Sequence, residues 1–262
     1  MVKKTFQGRP LLPGKIEGKA LDNADPAAFG RMIQYVFQDP ISSLNPRKTI
    51  RQVIEAPLKR LYGMDRAQRA ARIREIFAAV NLREEFLDRY PHEFSGGQAQ
   101  RIGIARALAA SPRIIILDEP VSALDVSIQA QIVNLLVDLQ AERGLTYVFV
   151  SHDLGVVRHI SDRVAVMYLG RVVEEAPKEA FYDGPLHPYA RALLDAVPVP
   201  DPASRRTQAV RLGDPPNPAN PPSGCRFHPR CPFATEICRA EAPALRDFGG
   251  RRAACHHAEE IS

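Results

Sequence analysis

The sequence lacks any hydrophobic run long enough to cross a bilayer. Its apolar stretches, such as Ile114 to Leu117 and Tyr147 to Val150, are far shorter than the ~20 residues that a spanning helix needs. It also lacks a signal peptide, because Gly8, Arg9 and Pro10 follow the basic N-terminus where an apolar segment is expected. We therefore predict a cytoplasmic chain that does not span a membrane by itself.

Neither sign of charge forms a block in this sequence. The 262 residues carry a net charge of +5, and the arginines are interspersed with Glu and Asp. Dispersed charge is typical of a solvated surface, so we predict no nucleic-acid partner. With 45% hydrophobic and 25% charged residues, the composition is that of a globular protein with one large domain, or one domain plus an appendage.

Cysteine is absent from most of the chain and is confined to its last part. The four cysteines are Cys225, Cys231, Cys238 and Cys255. Their spacing lacks the C-x2-C pairs of most zinc ribbons, yet four thiolates can ligate Zn²⁺ or an iron–sulfur cluster. Four unligated thiols are the alternative, and disulfides suit a cytoplasmic chain less well. His228, His256 and His257 are spare ligands or solvated side chains.

Helical periodicity dominates residues 50–110. Asp65 is a good N-cap for a helix over Arg66 to Val80, where apolar residues recur at helical spacing. Before this region, Met32 to Phe37 reads as a short strand. Near the other end of the chain, Pro198 to Pro222 is so dense in proline that it predicts a linker or strap.

Strands and helices alternate over residues 113–176. The predicted strands are Ile114 to Leu117, Tyr147 to Val150 and Val164 to Leu169. A helix from about Ser127 to Arg143, stopped by Gly144, separates the first two. Apolar strands separated by helices predict an α/β fold with a parallel sheet covered on both faces.

Two carboxylates, Asp118 and Glu119, directly follow the strand Ile114 to Leu117. Open α/β sheets bind ligands at the carboxyl ends of their strands. At that place Asp118 is a candidate ligand of Mg²⁺, and Glu119 is a candidate for polarising an attacking water. Taken alone, the pair is explained about equally well by an acidic turn without chemistry.

A glycine turn precedes a predicted helix at Ser95-Gly96-Gly97-Gln98. Backbone N–H groups bared by glycine, together with a Ser hydroxyl, form an anion site at a helix start. A plain N-cap is the alternative for Ser95. Two glycines and a Gln shortly before an acidic strand end weaken that alternative.

Two further polar residues follow predicted strands. His152 comes after Tyr147 to Val150, and Gln38 comes after the strand that ends at Phe37. A neutral imidazole at the same sheet edge as Glu119 can contact a γ-phosphate. Both assignments depend on the other motifs, because a lone His is more often structural.

The order of these motifs resembles the ATP-binding subunit of an ABC transporter. The correspondence is Gln38 with the Q-loop, Ser95 to Gln98 with the signature, Ile114 to Glu119 with Walker B, Ser122 to Asp125 with the D-loop and His152 with the switch histidine. Such motifs in this order are very specific. The resemblance covers nearly the whole chain from about Leu11.

The resemblance extends to the oligopeptide/dipeptide permease branch of that family. It is carried by Phe37 to Pro40, Ser43 to Arg47, Tyr90 to Phe94, His187 to Tyr189 and the cysteine tail. Phe94 stands where Leu is commoner in the family, a departure typical of this branch.

The resemblance implies a role for each motif residue. Gln38 is expected to sense Mg²⁺ and the attacking water, with Mg²⁺ held by Asp118. Glu119 is expected to be the catalytic base and His152 the γ-phosphate switch. The nucleotide-binding set is Ser95, Gly96, Gly97, Gln98 and Asp125, with the signature closing on ATP held by a partner subunit.

The resemblance also implies a P-loop NTPase-like core with a mainly parallel sheet and a helical subdomain. The expected parts are residues 1–49, a remnant of the ATPase core with the Q-loop, and residues 50–110, the helical subdomain ending in the signature helix. Residues 111–183 are expected to form the RecA-like core with Walker B, D-loop and switch histidine. Residues 184–262 are expected to form a C-terminal extension whose four cysteines hold a [4Fe-4S] cluster, with Zn²⁺ as the second choice.

One family motif is missing from the sequence. A P-loop, G-x-x-x-x-G-K-[ST], wraps phosphates with backbone N–H groups, and the candidate Gly8 to Ile16 has one residue too many. Pro10 and Pro13 remove donors from it, and Ile16 cannot bind Mg²⁺. We expect the chain to begin downstream of the P-loop and its strand. A truncated or wrongly assigned gene start is the favoured account, ahead of a split gene or a degenerate subunit.

The function implied by the resemblance is coupling of ATP hydrolysis to uptake of di- or oligopeptides or related solutes. The expected partners are a second ABC ATPase subunit, identical or different, membrane permease subunits and, indirectly, an external solute-binding protein. The chain is then peripheral, at the cytoplasmic face of the cell membrane. One alternative is a non-hydrolysing subunit that supplies its signature to a partner's ATP site. A non-transport ABC ATPase of repair or translation fits His187 to Tyr189 and the cysteine tail less well.

Overall fold

The computed structural model describes residues 25–197, 213–214 and 216–261, together with four two-residue strands before residue 21. The rejected phosphate-loop candidate lies largely outside the described residues, as does much of the proline-rich segment Pro198 to Pro222. The chain divides into two compact units, Met1–His152 and Asp153–Ser262. The first unit carries the predicted catalytic motifs, and the second carries the cysteines.

The four short strands of the first unit form two antiparallel pairs. They are β1 (Thr5–Phe6) with β2 (Arg9–Pro10), and β3 (Lys15–Ile16) with β4 (Lys19–Ala20).

A three-stranded parallel sheet positions the acidic motif. Its order is β5 (Ile33–Val36), β6 (Ile114–Asp118) and β7 (Thr146–Val150), with β6 in the centre. Parallel pairing brings the carboxyl ends of all three strands to one edge. The sheet is not covered throughout as the apolar pattern predicted, because Val148 and Val150 on β7 are 50% and 45% exposed.

Four helices and two short 3-10 helices lie between Asp25 and the β6 strand. They are α1 (Pro26–Met32), α2 (Ile50–Tyr62), α3 (Arg66–Ala79), 3-10 helices Glu84–Asp88 and Pro91–Glu93, and α4 (Gly96–Ala109). Thr49, Asp65 and Ser95 cap α2, α3 and α4, each with a reciprocal bond from a Gln three residues on. This capping box satisfies the N–H groups that a helix start leaves unpaired. The three capped helices pack against one another, as the helical periodicity predicted.

Helix α5 (Val126–Arg143) connects β6 to β7. It ends at Gly144, whose φ of 62° lies in the left-handed region that glycine adopts most easily. Tyr147 of β7 returns to the helix, since its hydroxyl donates to the carbonyl of Leu136 at 2.9 Å. The predicted helix and its stop are therefore confirmed.

The second unit contains a four-stranded antiparallel sheet, ordered β10 (Arg246–Asp247), β11 (Arg252–Ala253), β9 (Arg171–Pro177) and β8 (Arg163–Tyr168). The expectation that the strand Val164 to Leu169 joins a parallel sheet is wrong, because β8 pairs antiparallel with β9. The physical reason is the tight turn at Leu169 and Gly170, with φ of 45° and 76°. Two positive φ values in succession are typical of a hairpin turn.

Short helices complete the second unit. They are α6 (Leu154–Ile160), α7 (Lys178–Asp183), α8 (Pro188–Asp195), the 3-10 helix His228–Arg230, α9 (Glu236–Ala240) and α10 (Ala258–Ile261). Its core gathers aromatic side chains, among them Tyr168, Phe181 and Phe227. Within the described ranges, none of the helices of either unit has the length and apolar character needed to span a membrane.

Candidate functional site

The carboxyl edge of the parallel sheet holds Glu119 in an unusual backbone conformation. Its N–H donates to the carbonyl of Val150 at 3.0 Å, so the pairing with β7 continues one residue past β6. Its φ of 45° lies in a region that residues other than glycine rarely adopt. The result is a sharp turn that places Glu119 beside the end of β7, next to His152.

Two other predicted site residues contact the Glu119 carboxylate. Nδ1 of His152 lies 3.3 Å from one carboxylate oxygen, and Nε2 of Gln38 donates to the other at 3.1 Å. Each contact comes from a different strand end of the sheet. The Glu119 side chain is 29% exposed, so water reaches it. A fixed, solvent-accessible carboxylate of this kind can accept a proton from a water.

Ser122 is a fourth member of this group, and sequence reasoning named it only as part of the D-loop. Its hydroxyl donates to the carbonyl of Glu119 at 3.1 Å. Nε2 of Gln38 also makes a long 3.5 Å contact with the same hydroxyl. Ser122 therefore bridges the turn after β6 and the residue that follows β5.

Asp118 has a partner that sequence reasoning missed. The hydroxyl of Tyr35 donates to Oδ2 of Asp118 at 2.6 Å, and this bond is the main cause that raises the pKa of Tyr35. The register aligns Tyr35 with Ile116, two residues before Asp118, so both side chains lie on the same face of the sheet. Only the pairing register could have revealed this contact, and no local signal in the sequence carries it.

The signature residues form the start of α4. Ser95 Oγ accepts from the Gln98 N–H at 3.4 Å, and Gln98 Oε1 accepts from the Ser95 N–H at 3.1 Å. Gly97 faces α5 so closely that a Cβ on it would lie 2.6 Å from Cγ2 of Ile128. Among the described residues no hydrogen bond joins this group to Glu119, so the two motifs remain separate within one chain.

Family models match both units of the chain. The model of the ABC transporter matches residues 5–122. The model described as the C-terminal region of oligopeptide/dipeptide transporters matches residues 173–238.

Similar proteins extend over almost the whole chain. A probable peptide ABC transporter ATP-binding protein, y4tS, of Sinorhizobium fredii is 53% identical over 95% of this chain and 70% of its own length. This chain belongs to the family of ABC transporter ATP-binding proteins. The oligopeptide transport ATP-binding protein AppF of Bacillus subtilis is 50% identical over 97% of this ABC protein and 78% of its own length.

Solved structures give the same fold. The ATP-binding cassette MJ0796 in a dimeric post-hydrolysis state with ADP and Pi aligns at a TM-score of 0.55 with 34% identity, covering 62% of this ABC protein and 72% of that chain. CbiO1 from Clostridium perfringens aligns at a TM-score of 0.57 with 28% identity, covering 64% and 67%. The predicted α/β ABC ATPase fold is therefore confirmed.

The four cysteines of this ABC protein converge on one cavity of about 10 Å³ in the second unit. All four are free thiols. The cavity is lined by the cysteines together with four histidines, His187, His228, His256 and His257. Burial raises the pKa of Cys225 and Cys255, and raises that of Cys231 to about 11, which favours the protonated form of these three thiols.

The predicted cysteine metal site is not assembled in this structure. Within the described residues, no group of three or more His, Cys, Asp or Glu is arranged to hold a metal ion. Burial favours the protonated form of three of the thiols, and a thiol must lose its proton to bind a metal. The donor set, four sulfurs around one cavity, still fits a thiolate-bound metal or cluster.

His187 lines that cavity, and Glu174 fixes the backbone of His187. The buried Glu174 carboxylate accepts from the backbone N–H groups of Leu186 and His187 at 2.9 and 2.7 Å, and Arg251 lies 3.6 Å away. Burial lowers the pKa of His187 to about 4, which leaves its ring neutral. Sequence reasoning used His187 only as a family marker and missed its place beside the cysteines.

Proposed function

We propose that this chain is the ATP-binding subunit of an importer that couples ATP hydrolysis to uptake of di- or oligopeptides or related solutes. The observation that carries the proposal is the Glu119 carboxylate, engaged by Gln38 at 3.1 Å and His152 at 3.3 Å. The y4tS and AppF relatives, whose names state peptide transport, support the class of solute.

Each residue at the sheet edge has a distinct role in this proposal. Glu119 accepts the proton of the attacking water, and Gln38 orients that water. His152 contacts the γ-phosphate. Asp118 and Gln38 would hold Mg²⁺, and Asp118 keeps one carboxylate oxygen that Tyr35 does not engage. The ion would supply positive charge that neutralises the phosphates.

The signature acts on a different site from Glu119. The glycine N–H groups at the α4 start are not used in the capping box that engages Ser95 and Gln98, and such groups attract phosphate. Asp125 lies at the start of α5. We infer that the signature residues and Asp125 close on ATP held by a second ABC subunit. Support comes from their separation from Glu119 and from the dimeric state named for the MJ0796 neighbour.

The assembly completes the proposal. The pair of ATP-binding subunits docks on membrane permease subunits at the cytoplasmic face, and an external solute-binding protein delivers the solute. The chain itself is peripheral. The peptide-transport names of its relatives and the match to the oligopeptide/dipeptide C-terminal region support this arrangement.

We further infer that ATP turnover needs a phosphate loop from outside these 262 residues. The sequence contains no G-x-x-x-x-G-K-[ST] motif, and such a loop supplies the N–H groups, Lys and hydroxyl that hold the phosphates and Mg²⁺. Equilibrium binding of MgATP to this chain alone should therefore be undetectable at micromolar nucleotide. Tight binding by the chain alone would contradict this inference.

Substitution of Glu119 tests the catalytic role. In a transporter complex that includes its partners and the phosphate loop inferred above, Glu119→Gln should lower kcat about 100-fold or more, because general-base contributions fall in that range. Glu142→Gln is the matched control, since Glu142 is exposed on α5 and should leave turnover unchanged. Equal turnover in both variants would remove Glu119 from the mechanism.

We infer that the four cysteines bind a [4Fe-4S] cluster, with Zn²⁺ as the alternative. Convergence of four free thiols on one cavity supports a thiolate site. Protein purified without oxygen should be brown and contain iron and acid-labile sulfide. A colourless, zinc-loaded preparation would favour Zn²⁺, and a metal-free preparation that takes up neither would contradict a metal site.

A further inference from the structure

His187 lies at the cysteine cavity and is almost completely buried. Its side chain is 1% exposed, and it lines the cavity together with all four cysteines. Its ring also lies 5.7 Å from that of Phe227, a core residue. A buried polar ring at such a place needs partners for both of its nitrogens.

The hydrogen bonds of His187 determine which nitrogen carries the proton. The backbone N–H of Tyr189 donates to Nδ1 at 3.1 Å, so Nδ1 is an acceptor and carries no hydrogen. The neutral ring must then carry its hydrogen on Nε2. In the described part of the chain, Nε2 has no hydrogen-bond partner. A donor that lies at the cysteine cavity without a partner points to an acceptor that arrives with a ligand.

The other histidines of the cavity do not share this state. His257 uses both ring nitrogens, on Thr235 and Glu260. His256 contacts the carbonyl of Glu241 through Nε2 at 3.1 Å, and His228 contacts the carbonyl of Cys225 through Nδ1 at 2.9 Å. All three are more exposed than His187. His187 is thus the buried histidine with a fixed ring and an unused donor.

We propose that His187 is a positioning residue of the four-cysteine site, and that its Nε2–H donates a hydrogen bond to a metal-bound cysteine sulfur. The proposal rests on the thiolate site inferred above. A metal-bound thiolate carries negative charge and accepts hydrogen bonds. Such outer partners orient the ligands and strengthen metal binding.

Two substitutions separate the donor from the capping role of His187. In His187→Asn, the side-chain oxygen takes the place of Nδ1 and still caps α8, but the Nε2 donor is lost. In His187→Gln, the amide nitrogen takes the place of Nε2, but the cap on α8 is lost. His187→Asn therefore keeps the acceptor that caps α8, whereas His187→Gln keeps the donor at the position of Nε2.

Competition between the full chain and a chelating dye for Zn²⁺, at neutral pH under reducing conditions, measures the effect. We expect one Zn²⁺ per wild-type chain, a 10–100-fold weaker affinity for His187→Asn, and recovery of most of that loss in His187→Gln. Far-UV circular dichroism should show that both variants are folded, with the uncapped His187→Gln the less stable to heat.

The outcomes distinguish the thiolate metal site from the role of His187 in it. If the wild-type chain binds no Zn²⁺ and, purified without oxygen, contains no iron–sulfur cluster, the thiolate site itself is wrong. If the wild type binds Zn²⁺ and folded His187→Asn binds it equally well, the site stands and the role of His187 is overturned. If His187→Gln binds as weakly as His187→Asn, the hydrogen-bond role is also overturned.

Discussion

Gly97 lies where the structure leaves little room for a side chain. A Cβ on Gly97 would lie 2.6 Å from Cγ2 of Ile128 and 3.9 Å from its Cβ. Carbon atoms in contact lie about 3.5–4.0 Å apart, so Gly97→Ala requires α4 and the Ile128 methyl to separate by about 1 Å. We predict that this single methyl destabilises the first unit.

Two opposing effects set the size of the destabilisation. Overpacking a well-filled contact costs about 1–3 kcal/mol. Replacing Gly by Ala inside a helix returns up to about 1 kcal/mol, and less in the first turn, where Gly97 lies. The net free energy of unfolding should fall by about 1–2 kcal/mol. Gly96→Ala is the control, because its Cβ would meet only the flexible end of Leu124, at 3.1 Å, and should cost much less.

Urea unfolding of a double-mutant cycle isolates the contact. Ile128→Ala removes the methyl that Gly97→Ala would meet, so in that background Gly97→Ala should be neutral or slightly stabilising. The coupling free energy between the two positions should then be about 2 kcal/mol, within the range for residues in contact. If Gly97→Ala costs the same with and without Ile128, the close approach of α4 and α5 is not its cause.

Two further substitutions test buried and exposed charge. Glu174→Gln replaces a fully buried carboxylate that accepts from two backbone N–H groups, and it leaves Arg251 without its counter-charge. Thermal unfolding should show that the free energy of unfolding falls by about 3 kcal/mol. A fall below 1 kcal/mol would contradict the pairing. Glu75→Gln removes contacts with Arg72 and Arg143, which lower the Glu75 pKa below its ordinary 4.5. The substitution should lower the free energy of unfolding by about 0.5 kcal/mol near neutral pH, and this loss should disappear as acid protonates Glu75. A loss that persists in acid would contradict the ion pairs.

Local features of the fold were predictable from neighbouring residues. The cap at Asp65 and the stop at Gly144 depend on hydrogen bonds and backbone angles within a few positions of each residue. The apolar runs likewise predicted β6 and β7 to within one residue. These features were predictable because their causes lie within one or two helical turns of the chain.

Long-range pairing was the part that the pattern could not specify. The strand Val164 to Leu169 is as apolar as its predecessors, yet β8 pairs antiparallel with β9 because of the turn at Gly170. The Tyr35–Asp118 bond joins residues 83 positions apart and follows only from strand register. His187 reaches the cysteines through the fold of the second unit, and no spacing in the sequence indicates it.

The predicted catalytic residues Gln38, Glu119 and His152 were predictable in part. Motif order placed Gln38, Glu119 and His152 at one sheet edge, and the structure brings them within hydrogen-bonding distance. Motif order did not indicate the left-handed turn at Glu119, which aims the carboxylate at both partners. The motif therefore predicted which residues meet, whereas the backbone angle determines how they meet; their roles in ATP hydrolysis stay a prediction.

Gly97 combines a backbone N–H at the helix start with close packing against Ile128, and both affect how a loss of ATP turnover should be interpreted. Its backbone N–H lies at the α4 start, where the proposed partner phosphate would bind, while its Cα faces Ile128. Gly97→Ala would lower activity either by blocking phosphate or by displacing α4. In the Ile128→Ala background the displacement is relieved but the new methyl remains at the helix start. Turnover restored there assigns the glycine to helix packing, whereas turnover still lost assigns it to the approach of the phosphate.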